Sequence, residues 1–564
     1  MLVNLVYSPF VFPNVPVGIA VLKSALTAAG HSVKCIDLNL VAHQYYAELL
    51  VKEGRSRVVR IDDKTRGLFG EANEFFSSKD PSFFEQRCYN RHGNVFISAW
   101  STIYQAAAEY TTSCLASGTT PVLVENWVDR ILENQPDAVG FSVLFLRQFE
   151  QSLAIARCIK ARSPSTTIIF GGGFFNRVDA LSTNNPLVSD MLNGAADYVI
   201  SHEGQEPLVQ LLSALDKEKP VSELLDLCYF AGGRLVGSGV EPSPCAGSDE
   251  VLNTDYEDFD LGAYYYPEPA LFVSSSSGCF WIKCTFCSLP MAHTATYRSR
   301  PVGQVVDELE FHHKTSGARF FYFIDESVAP KRFNRIGSEI QRRGLQIYYT
   351  VRARPGGDFT ADILNTMYES GCRLIMWGVE SGSQTVLDTM GKGTRVEEIS
   401  AVLKGARHAG IRNHVYLMPG FPTETAHDSV QTVDFLYHHR DYIEYIHSGP
   451  FRSIQGTPVH LEPERFGVRN TGDVPNSNTC GYCSTKGLDS SGVERYHGFL
   501  KAKYFNHFSR FSNHLGKLRI HALMVYANSD KIIWDCEYLG DAAQKLAEFQ
   551  RSYSRMAPGL FAGA

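Results

Sequence analysis

The sequence predicts an α/β protein: a doubly wound, Rossmann-like N-terminal domain, then a partial (βα)6, TIM-like barrel, then a mostly helical C-terminal region. Three observations carry that expectation. Short apolar runs alternate with stretches of helical periodicity through residues 1–215; the alternation restarts at Leu271 and repeats about six times with no antiparallel hairpin signal; and it fails beyond about residue 455. The expected layout is a domain over 1–215 with an insertion over about 41–125, a linker over 216–266, a barrel over 267–455 and a C-terminal region over 456–564.

The first apolar run is Leu2–Tyr7, and the helical spacing of Val17–Ala29 closes at Gly30-His31 before a second strand at Ser32–Asp37, a βαβ opening. Met1 to Leu22 carries no charged side chain and resembles a signal peptide's apolar stretch, but it has no basic start and holds Pro9, Pro13 and Pro16. It reads as a buried strand, a loop and a helix start. The insertion is polar with scattered aromatics and helical around Ser101–Ser117. After it come a helix ending near Asn134, the strand Ala138–Ser142, a helix over Phe149–Arg162, the strand Thr167–Phe170 running into Gly171-Gly172-Gly173, and the strand Ala196–Ile200 entering His202-Glu203-Gly204. A sheet of this kind holds its ligand at the carboxyl ends of the strands.

Gly and Pro punctuate Ala231–Tyr266, the expected linker. Barrel strands fall near Leu271, Ala318–Ile324, Gln346–Val351, Arg373–Gly378, Arg412–Leu417 and Ile443–Ser448. Helices start near Pro301, Lys331, Thr360, Gln384 with Arg395, and Glu424. Barrel chemistry belongs at the strands' carboxyl ends. Further helices are expected over Gly492–Phe511 and Gly540–Ser554.

The chain has 564 residues, 44% of them hydrophobic, with a net charge of −7 and interspersed signs. That leaves no basic footprint for nucleic acid. No segment approaches the about 18 to 20 apolar residues of a membrane helix. Thirteen cysteines spread unevenly over a long chain fit a reducing, cytoplasmic setting rather than a disulfide framework.

Cys279, Cys284 and Cys287 fall within nine residues on the loop leaving the first barrel strand. Three thiolates on one loop can hold three corners of a four-iron cluster and leave one iron open. A zinc knuckle with a distant fourth ligand, or chance proximity, are the alternatives. Cys480 and Cys483 form a hook without a partner hook, with Cys536 the only other cysteine downstream, so a second full cluster is not supported. A metal or redox role and a structural or substrate-side pair both stay open there. Cys35, Cys158 and Cys372 sit in apolar patterns and read as core.

With the cysteine loop, Tyr297-Arg-Ser-Arg-Pro301, Phe323-Ile-Asp-Glu326, Gly378-Val-Glu-Ser-Gly382 and Pro419-Gly-Phe-Pro-Thr-Glu424, the chain resembles cobalamin-dependent radical S-adenosylmethionine (SAM) enzymes over roughly residues 1–450. One departure is that four residues, Phe280–Lys283, separate the first two cysteines where the commonest family spacing has three. The wording looks like the Cys-Tyr-Trp-Gly-Lys-Cys-x-Phe-Cys version of some cobalamin-dependent members. The resemblance implies a [4Fe-4S] cluster on Cys279, Cys284 and Cys287, whose open iron chelates the amino and carboxylate groups of SAM and whose electron yields a 5′-deoxyadenosyl radical. At the strand ends, Asp325 and Glu326 are placed for the amino group, and Arg352 and Arg354 for the carboxylate. Glu380 and Ser381 look like the family's ribose contact; Gly420 and Phe421 would lie against the adenine, with Phe286 packing there too.

The family's cobalamin positions correspond to Pro9, to Ser142, Val143 and Leu144, and to Gly171, Gly172 and Gly173, with Glu203 and Gly204 as weaker candidates. The first domain lacks Asp-x-His-x-x-Gly, so cobalamin is expected without a histidine below the metal. The activity implied is a C-methyltransferase acting through methylcobalamin on an unactivated carbon of a natural-product or peptide substrate. Alternatives are a cobalamin-dependent rearrangement, cyclisation or ring contraction, or a non-catalytic metal- or cobalamin-binding module. Expected partners are that substrate and an external electron donor such as flavodoxin or ferredoxin, with no nucleic acid and no membrane. His447 reads equally as a substrate-facing or a satisfied barrel histidine, and Tyr496–Tyr504 as an amphipathic helix or a peptide contact.

Overall fold

The computed structural model describes residues 1–9, 12–53, 62–175, 186–237, 253–289, 297–474, 479–485, 487–505 and 518–528. Apart from a few residues, the chain divides into one compact unit up to Pro269 and another from Ala270 onward.

The first unit is built on strands β1 (Leu2–Tyr7), β2 (Ser32–Asp37), β3 (Ala138–Ser142), β4 (Thr167–Gly171), β5 (Tyr198–Ile200), β6 (Leu227–Ala231) and β7 (Arg234–Gly237). Their order is β2-β1-β3-β4-β5-β6-β7, parallel through β5 and antiparallel beyond it. Leu5 faces both Cys35 and Gly140 in register. Val3, Leu5 and Val6 are all buried, because helices cover both faces of a parallel sheet and its strands need no polar side. The strand order reverses between β1 and β3, so the loops leaving these two strands part and open a crevice at their carboxyl ends.

Helix α1 (Val17–Ala28) buries Ile19, Ala20 and Leu26, and ends where Gly30, at φ +88°, turns the chain back. The insertion is helical through most of its length: α2 (Leu38–Glu53), α3 (Asp63–Ser77), α4 (Gln86–Ser117) and α5 (Val122–Leu132). Tyr89, Phe96, Trp100, Ile103 and Ala107 recur at helical spacing along α4 and are buried, with Trp100 and Phe96 meeting Phe69 and Phe76 of α3 edge-on or tilted.

The described residues 216–237 and 253–266, expected as part of a linker, belong to the first unit. The hairpin β6–β7 extends its sheet. Asp255 and Asp258 lie 3.2 and 2.9 Å from the buried Lys23 ammonium of α1, Asp258 accepts the Cys35 N–H, and the Tyr264 hydroxyl donates to Asp37. Gly and Pro punctuation marked turns within a packed segment; long-range ion pairs that pin it leave no trace in local composition.

The second unit starts with β8 (Ala270–Val273) and the two-residue strands β9 (Ser276–Ser277) and β10 (Arg298–Ser299), which pair with each other antiparallel. Five strands follow: β11 (Phe320–Phe323), β12 (Tyr348–Ala353), β13 (Cys372–Glu380), β14 (Arg412–Leu417) and β15 (Tyr445–Ser448). They join β8 in a six-stranded, all-parallel sheet of order β15-β14-β13-β12-β11-β8. Helices Val302–Ser316, Pro330–Arg342, Ala361–Glu369, Gln384–Thr389, Val396–His408 and Ala426–His438 alternate with them. The last is closed by a capping box between Thr425 and Asp428. Every expected barrel strand is present.

The C-terminal region departs from expectation in two ways. Its described part belongs to the second unit, and it includes a three-stranded antiparallel sheet of β16 (Ser453–Ile454), β17 (Val468–Asp473) and β18 (Thr479–Ser484) in the order β16-β18-β17. These strands carry Gly, Asn and Cys in place of alternating β-branched residues, so periodicity did not reveal them. The helix expected from Gly492 is present as Ser490–Leu500 followed by a π-turn over Lys501–Phe505, and its expected continuation to Phe511 lies outside the described residues. The helix expected over Gly540–Ser554 lies outside them too. An unexpected helix, Arg519–Ala527, buries Ile520 through Tyr526 against β11, β12 and β13. Among the described residues, no helix is long and apolar enough to cross a membrane.

At the crevice of the first unit, Val143 just past β3 is clamped to the glycine triplet just past β4. Its N–H donates to the Gly171 carbonyl at 2.8 Å, and its own carbonyl accepts from Phe174 N–H at 3.0 Å. Gly172 sits at φ +103°, and a Cβ there would lie 2.5 Å from the Val143 oxygen. Cβ atoms on Gly171 and Gly173 would meet only ordinary contacts at 3.5 and 3.7 Å, so one glycine of the three is demanded by sterics. Gly172→Ala is expected to cost on the order of 2–3 kcal/mol in chemical denaturation, and Gly173→Ala under about 1 kcal/mol.

Candidate active site at the carboxyl ends of the barrel strands

The serines ahead of the cysteines are fixed first. Asp325, at the end of β11, is buried and accepts from Ser275 N–H at 2.9 Å, Ser275 Oγ at 2.6 Å and Ser276 Oγ at 2.5 Å. Arg332 donates to the carbonyls of Ser275 and Arg300 at 2.7 and 2.6 Å, and Arg300 donates to the Ser274 carbonyl while pairing with buried Glu308. The Tyr297–Pro301 motif is therefore the return strand that braces this loop. Asp325 is committed to the serines, which leaves Glu326 as the acidic group of the pair facing Arg352, 3.6 Å away.

The cysteine loop is gripped from its other side by the turn after helix Gln384–Thr389. Trp281 Nε1 donates to the Gly391 carbonyl at 2.9 Å, and Thr285 N–H donates to the Met390 carbonyl at 2.9 Å. Gly391 and Gly393 sit at φ +65° and +62°, and a Cβ on Gly393 would fall 2.0 Å from the indole of Trp281. Arg354 lies over that indole at 4.1 Å while its Nη1 donates to the Gly393 carbonyl at 2.7 Å. The four-residue gap has a visible consequence. Ile282, 51% exposed, takes a left-handed φ of +45°, which costs a β-branched residue more than any other. Where the family wording has glycine, this chain bends an isoleucine.

Burial pushes up the Cys284 thiol and, to about 12, the Cys287 thiol; charge on the neighbouring cysteines raises both as well, so the three sulfurs lie within electrostatic reach of one another. Lys392 opposes that trend. Its buried ammonium lies 2.8 Å from Glu380 and 5.9 Å from the Phe286 ring. Burial works against its charge, and Glu380 and Cys284 more than compensate. Three thiols on one loop within electrostatic reach of one another fit a four-iron cluster, which takes each sulfur at a different iron.

The Gly378–Gly382 motif has a steric logic. Glu380 sits at φ +64° after a β-bulge in β13 that turns its carboxylate to Lys392. A Cβ on Gly378 would lie 2.7 Å from Lys392 Nζ, and one on Gly382 would lie 2.7 Å from Phe435, so the first glycine makes room for the ion pair and the second for close helix packing. Ser381 Oγ is 3.0 Å from Thr432 Oγ1. Arg352 donates to the Ile324 carbonyl, and its Nε, like that of Arg354, is buried without a partner among the described residues. Phe421 is fully buried against Phe451 and Phe466, and Gly420, φ +84°, is buried as well, a Cβ there falling 2.6 Å from Val493. Glu380, Ser381, Leu417 and Pro419 line one cavity with Tyr496, Leu500 and Phe505. Sequence reasoning missed Lys392, Arg332 and Glu308. The Gly391-Lys392-Gly393 run was the one available signal.

In the first unit, buried Gln148 ties two strand ends together, donating to the Ser8 carbonyl at 2.9 Å and accepting from Leu144 N–H at 3.0 Å. Pro9 is buried beside this tie, while Leu144 and Phe145 are 37% and 50% exposed, an apolar surface at the switch point suited to a flat, greasy macrocycle. Glu203 and Gly204 lie ahead of helix Gln205–Asp216, where a Cβ on Gly204 would meet Leu22 at an ordinary 3.6 Å.

Residues 273–436 match the model of the radical SAM superfamily. The barrel is a radical SAM domain. An uncharacterized methyltransferase of Pyrococcus horikoshii is 25% identical over 304 residues, which cover 53% of this chain and 64% of that protein. The chain spans between 59% and 66% of the length of the first curated relatives it matches. The radical S-adenosylmethionine methyltransferase TsrM of Kitasatospora setae, solved with tryptophan substrate and a SAM analogue, is similar in fold at a TM-score of 0.60 and 16% identity, over 98% of this chain and 99% of that one. The cobalamin-dependent radical enzyme OxsB, solved with aqua-cobalamin and SAM, is similar at a TM-score of 0.63 and 16% identity, over 98% of this chain and 75% of that one. The radical SAM domain thus sits in a chain with the fold of cobalamin-dependent radical SAM enzymes.

Outside the radical SAM domain's loop, Cys480 and Cys483 both lie on β18. Three positions apart on a strand, they point to opposite faces, one buried and one exposed, so they do not form a two-sulfur hook. Cys35, Cys158 and Cys372 are buried core residues. His447 stacks on Tyr416 at 4.7 Å inside the barrel.

Two outcomes follow from this geometry. Ile282→Gly relieves the left-handed strain and is expected to raise stability by about 1 kcal/mol in denaturant titrations. Glu424, buried behind the Pro419 turn, accepts from Gly420 N–H at 2.6 Å and Ser429 Oγ at 2.7 Å, yet burial lifts its carboxyl from 4.5 to about 7. Between these values the folded state holds a proton that the unfolded chain has released, so stability falls as pH rises from about 4.5 to about 7. Glu424→Gln mimics the protonated carboxyl, its amide oxygen accepting from Gly420 N–H and its NH2 donating to Ser429 Oγ, and removes that component. Its advantage over wild type should grow across the same window to the order of 2 kcal/mol, read from unfolding midpoints at each pH.

Proposed function

We propose that this chain is a cobalamin-dependent radical SAM C-methyltransferase acting on an unactivated carbon of a natural-product or peptide substrate. One observation carries most of the weight. Three cysteines on the loop after β8 are braced by Asp325, Arg332 and the Gly391–Gly393 turn at the carboxyl ends of an all-parallel sheet, with Lys392 and Arg354 supplying positive charge beside them. Cys279, Cys284 and Cys287 would hold a [4Fe-4S] cluster. When bound, the cluster supplies the electron that cleaves SAM, and cobalamin supplies the methyl group.

The chain's own residues have distinct tasks in this reading. Arg352, whose buried Nε has no partner among the described residues, is positioned for the SAM carboxylate, and Glu326 beside it for the amino group. Glu380 is held by Lys392 for the ribose, with Ser381 beside it in the same cavity; Gly420 would lie on the adenine side. Arg354 and Phe286 secure the cysteine loop. Ser142, Val143, Leu144 and the Gly171–Gly173 turn would cradle cobalamin, with Pro9, Glu203 and Gly204 at neighbouring strand ends. An external donor such as flavodoxin or ferredoxin would deliver the electron.

The test is anaerobic reconstitution with a chemical reductant. Wild type should form 5′-deoxyadenosine from SAM and Cys284→Ala should form none, whereas absence of cleavage in wild type overturns the reading. With substrate present, a mass gain of one methylene together with S-adenosylhomocysteine supports methyl transfer; 5′-deoxyadenosine with neither points to rearrangement or cyclisation.

A further inference from the structure

Helix Arg519–Ala527 carries one charged side chain into the barrel. Arg519 Nη1 donates to the Tyr322 hydroxyl at 3.1 Å, and its guanidinium lies 5.7 Å from the centre of the Tyr416 ring. Both tyrosine hydroxyls otherwise point at Met376 Sδ, 3.8 Å from Tyr322 and 3.6 Å from Tyr416. A thioether is a weak acceptor. Among the described residues, the wall on the His414 side is neutral: His414 Nε2 lies 2.8 Å from the Tyr526 hydroxyl and its Nδ1 lies 3.4 Å from His447 Nε2. Burial and the Arg519 charge lower both imidazoles, His447 to about 3, and burial raises Tyr416, so none of the three carries charge at neutral pH.

Among the described residues, this corner therefore collects a guanidinium and two phenolic hydroxyls with no carboxylate hydrogen-bonded to any of them. Burying a cation against neutral partners is unfavourable, and donors without acceptors add to the cost. Tyr416 also lies within electrostatic reach of Arg352 and Glu380, which places the corner beside the residues assigned above to SAM. A planar anion of single charge meets all three donors at once. A carboxylate does so through two oxygens against the fork of Arg519, whereas a phosphate dianion brings more charge than one guanidinium offsets.

We propose that Arg519, with the hydroxyls of Tyr322 and Tyr416, is the anchor for a carboxylate on the substrate, and that the substrate class is accordingly a carboxylic acid with an apolar or aromatic body lying along Tyr416 and His447. This rests on the reading of the barrel as the reaction site. It adds that the C-terminal region, rather than a barrel strand, selects the substrate by charge.

The test is a binding measurement that needs no turnover. Purified full-length protein is titrated, by thermal unfolding, with two charge pairs: phenylacetate against phenylacetamide for a small free acid, and N-acetylphenylalanine against its amide for a peptide carboxyl terminus. At least one carboxylate should raise the unfolding midpoint at concentrations where its amide does not, and which pair responds identifies the source. Arg519→Met should abolish the preference, with apparent affinity falling about tenfold or more, and Arg519→Lys should restore part of it. Should Arg519→Met fail to fold, the Tyr322→Phe/Tyr416→Phe double variant keeps the charge and should still weaken carboxylate binding. Equal shifts for acid and amide, no shift for either pair up to tens of millimolar, or a preference that survives Arg519→Met overturns the anchor. Cleavage of SAM by wild type is scored separately, so the anchor and the radical reading fail independently.

Discussion

The cysteine loop depends on a turn that glycine alone can make. Gly391 and Gly393 hold left-handed backbone close enough to Lys283 and to the Trp281 indole that no side chain fits at either position. The indole they admit is hydrogen-bonded beneath and covered above by Arg354, itself bonded to the Gly393 carbonyl. Sequence-distant pieces from β8, β12 and the turn before helix Val396–His408 are thereby locked together, and the orientation of three thiols follows from that lock. Packing this tight tolerates an isoleucine in left-handed backbone at position 282, since the clamp over-determines the loop on both sides of it.

Charge in the site is arranged around the same lock. Three thiolates concentrated at one place need positive charge nearby, and burial makes Cys284 and Cys287 harder to ionise. Lys392 and Arg354 provide that charge from the turn and from β12. Glu380, bent by its bulge, keeps Lys392 ionised in a place where burial alone would discharge it. The structure thus spends one strained residue, Glu380, to fix a cation.

The first unit solves a related problem with less. A strand order that reverses at β1 and β3 opens a crevice by topology alone, and Gln148 with the Gly172–Val143 clamp sets the geometry of its floor. Exposed Leu144 and Phe145 then present an apolar surface beside that floor.

The sequence by itself determined the two parallel sheets, because the alternation of short apolar runs with amphipathic helices is a local property with a fixed period. It also pointed to the chemistry of the loop, because three thiols within nine residues cannot separate far. The roles within motifs were less legible. Asp325 looked like a ligand contact from its place at a strand end, and only the fold turned it onto Ser275 and Ser276. The supposed linker was pinned by Asp255 and Asp258 to Lys23, across more than two hundred residues that no local pattern spans. Lys392 and Arg519 were invisible for the same reason. A charged residue in a turn or on a helix has no distinguishing period, and its meaning comes from which neutral or acidic groups the tertiary structure sets beside it.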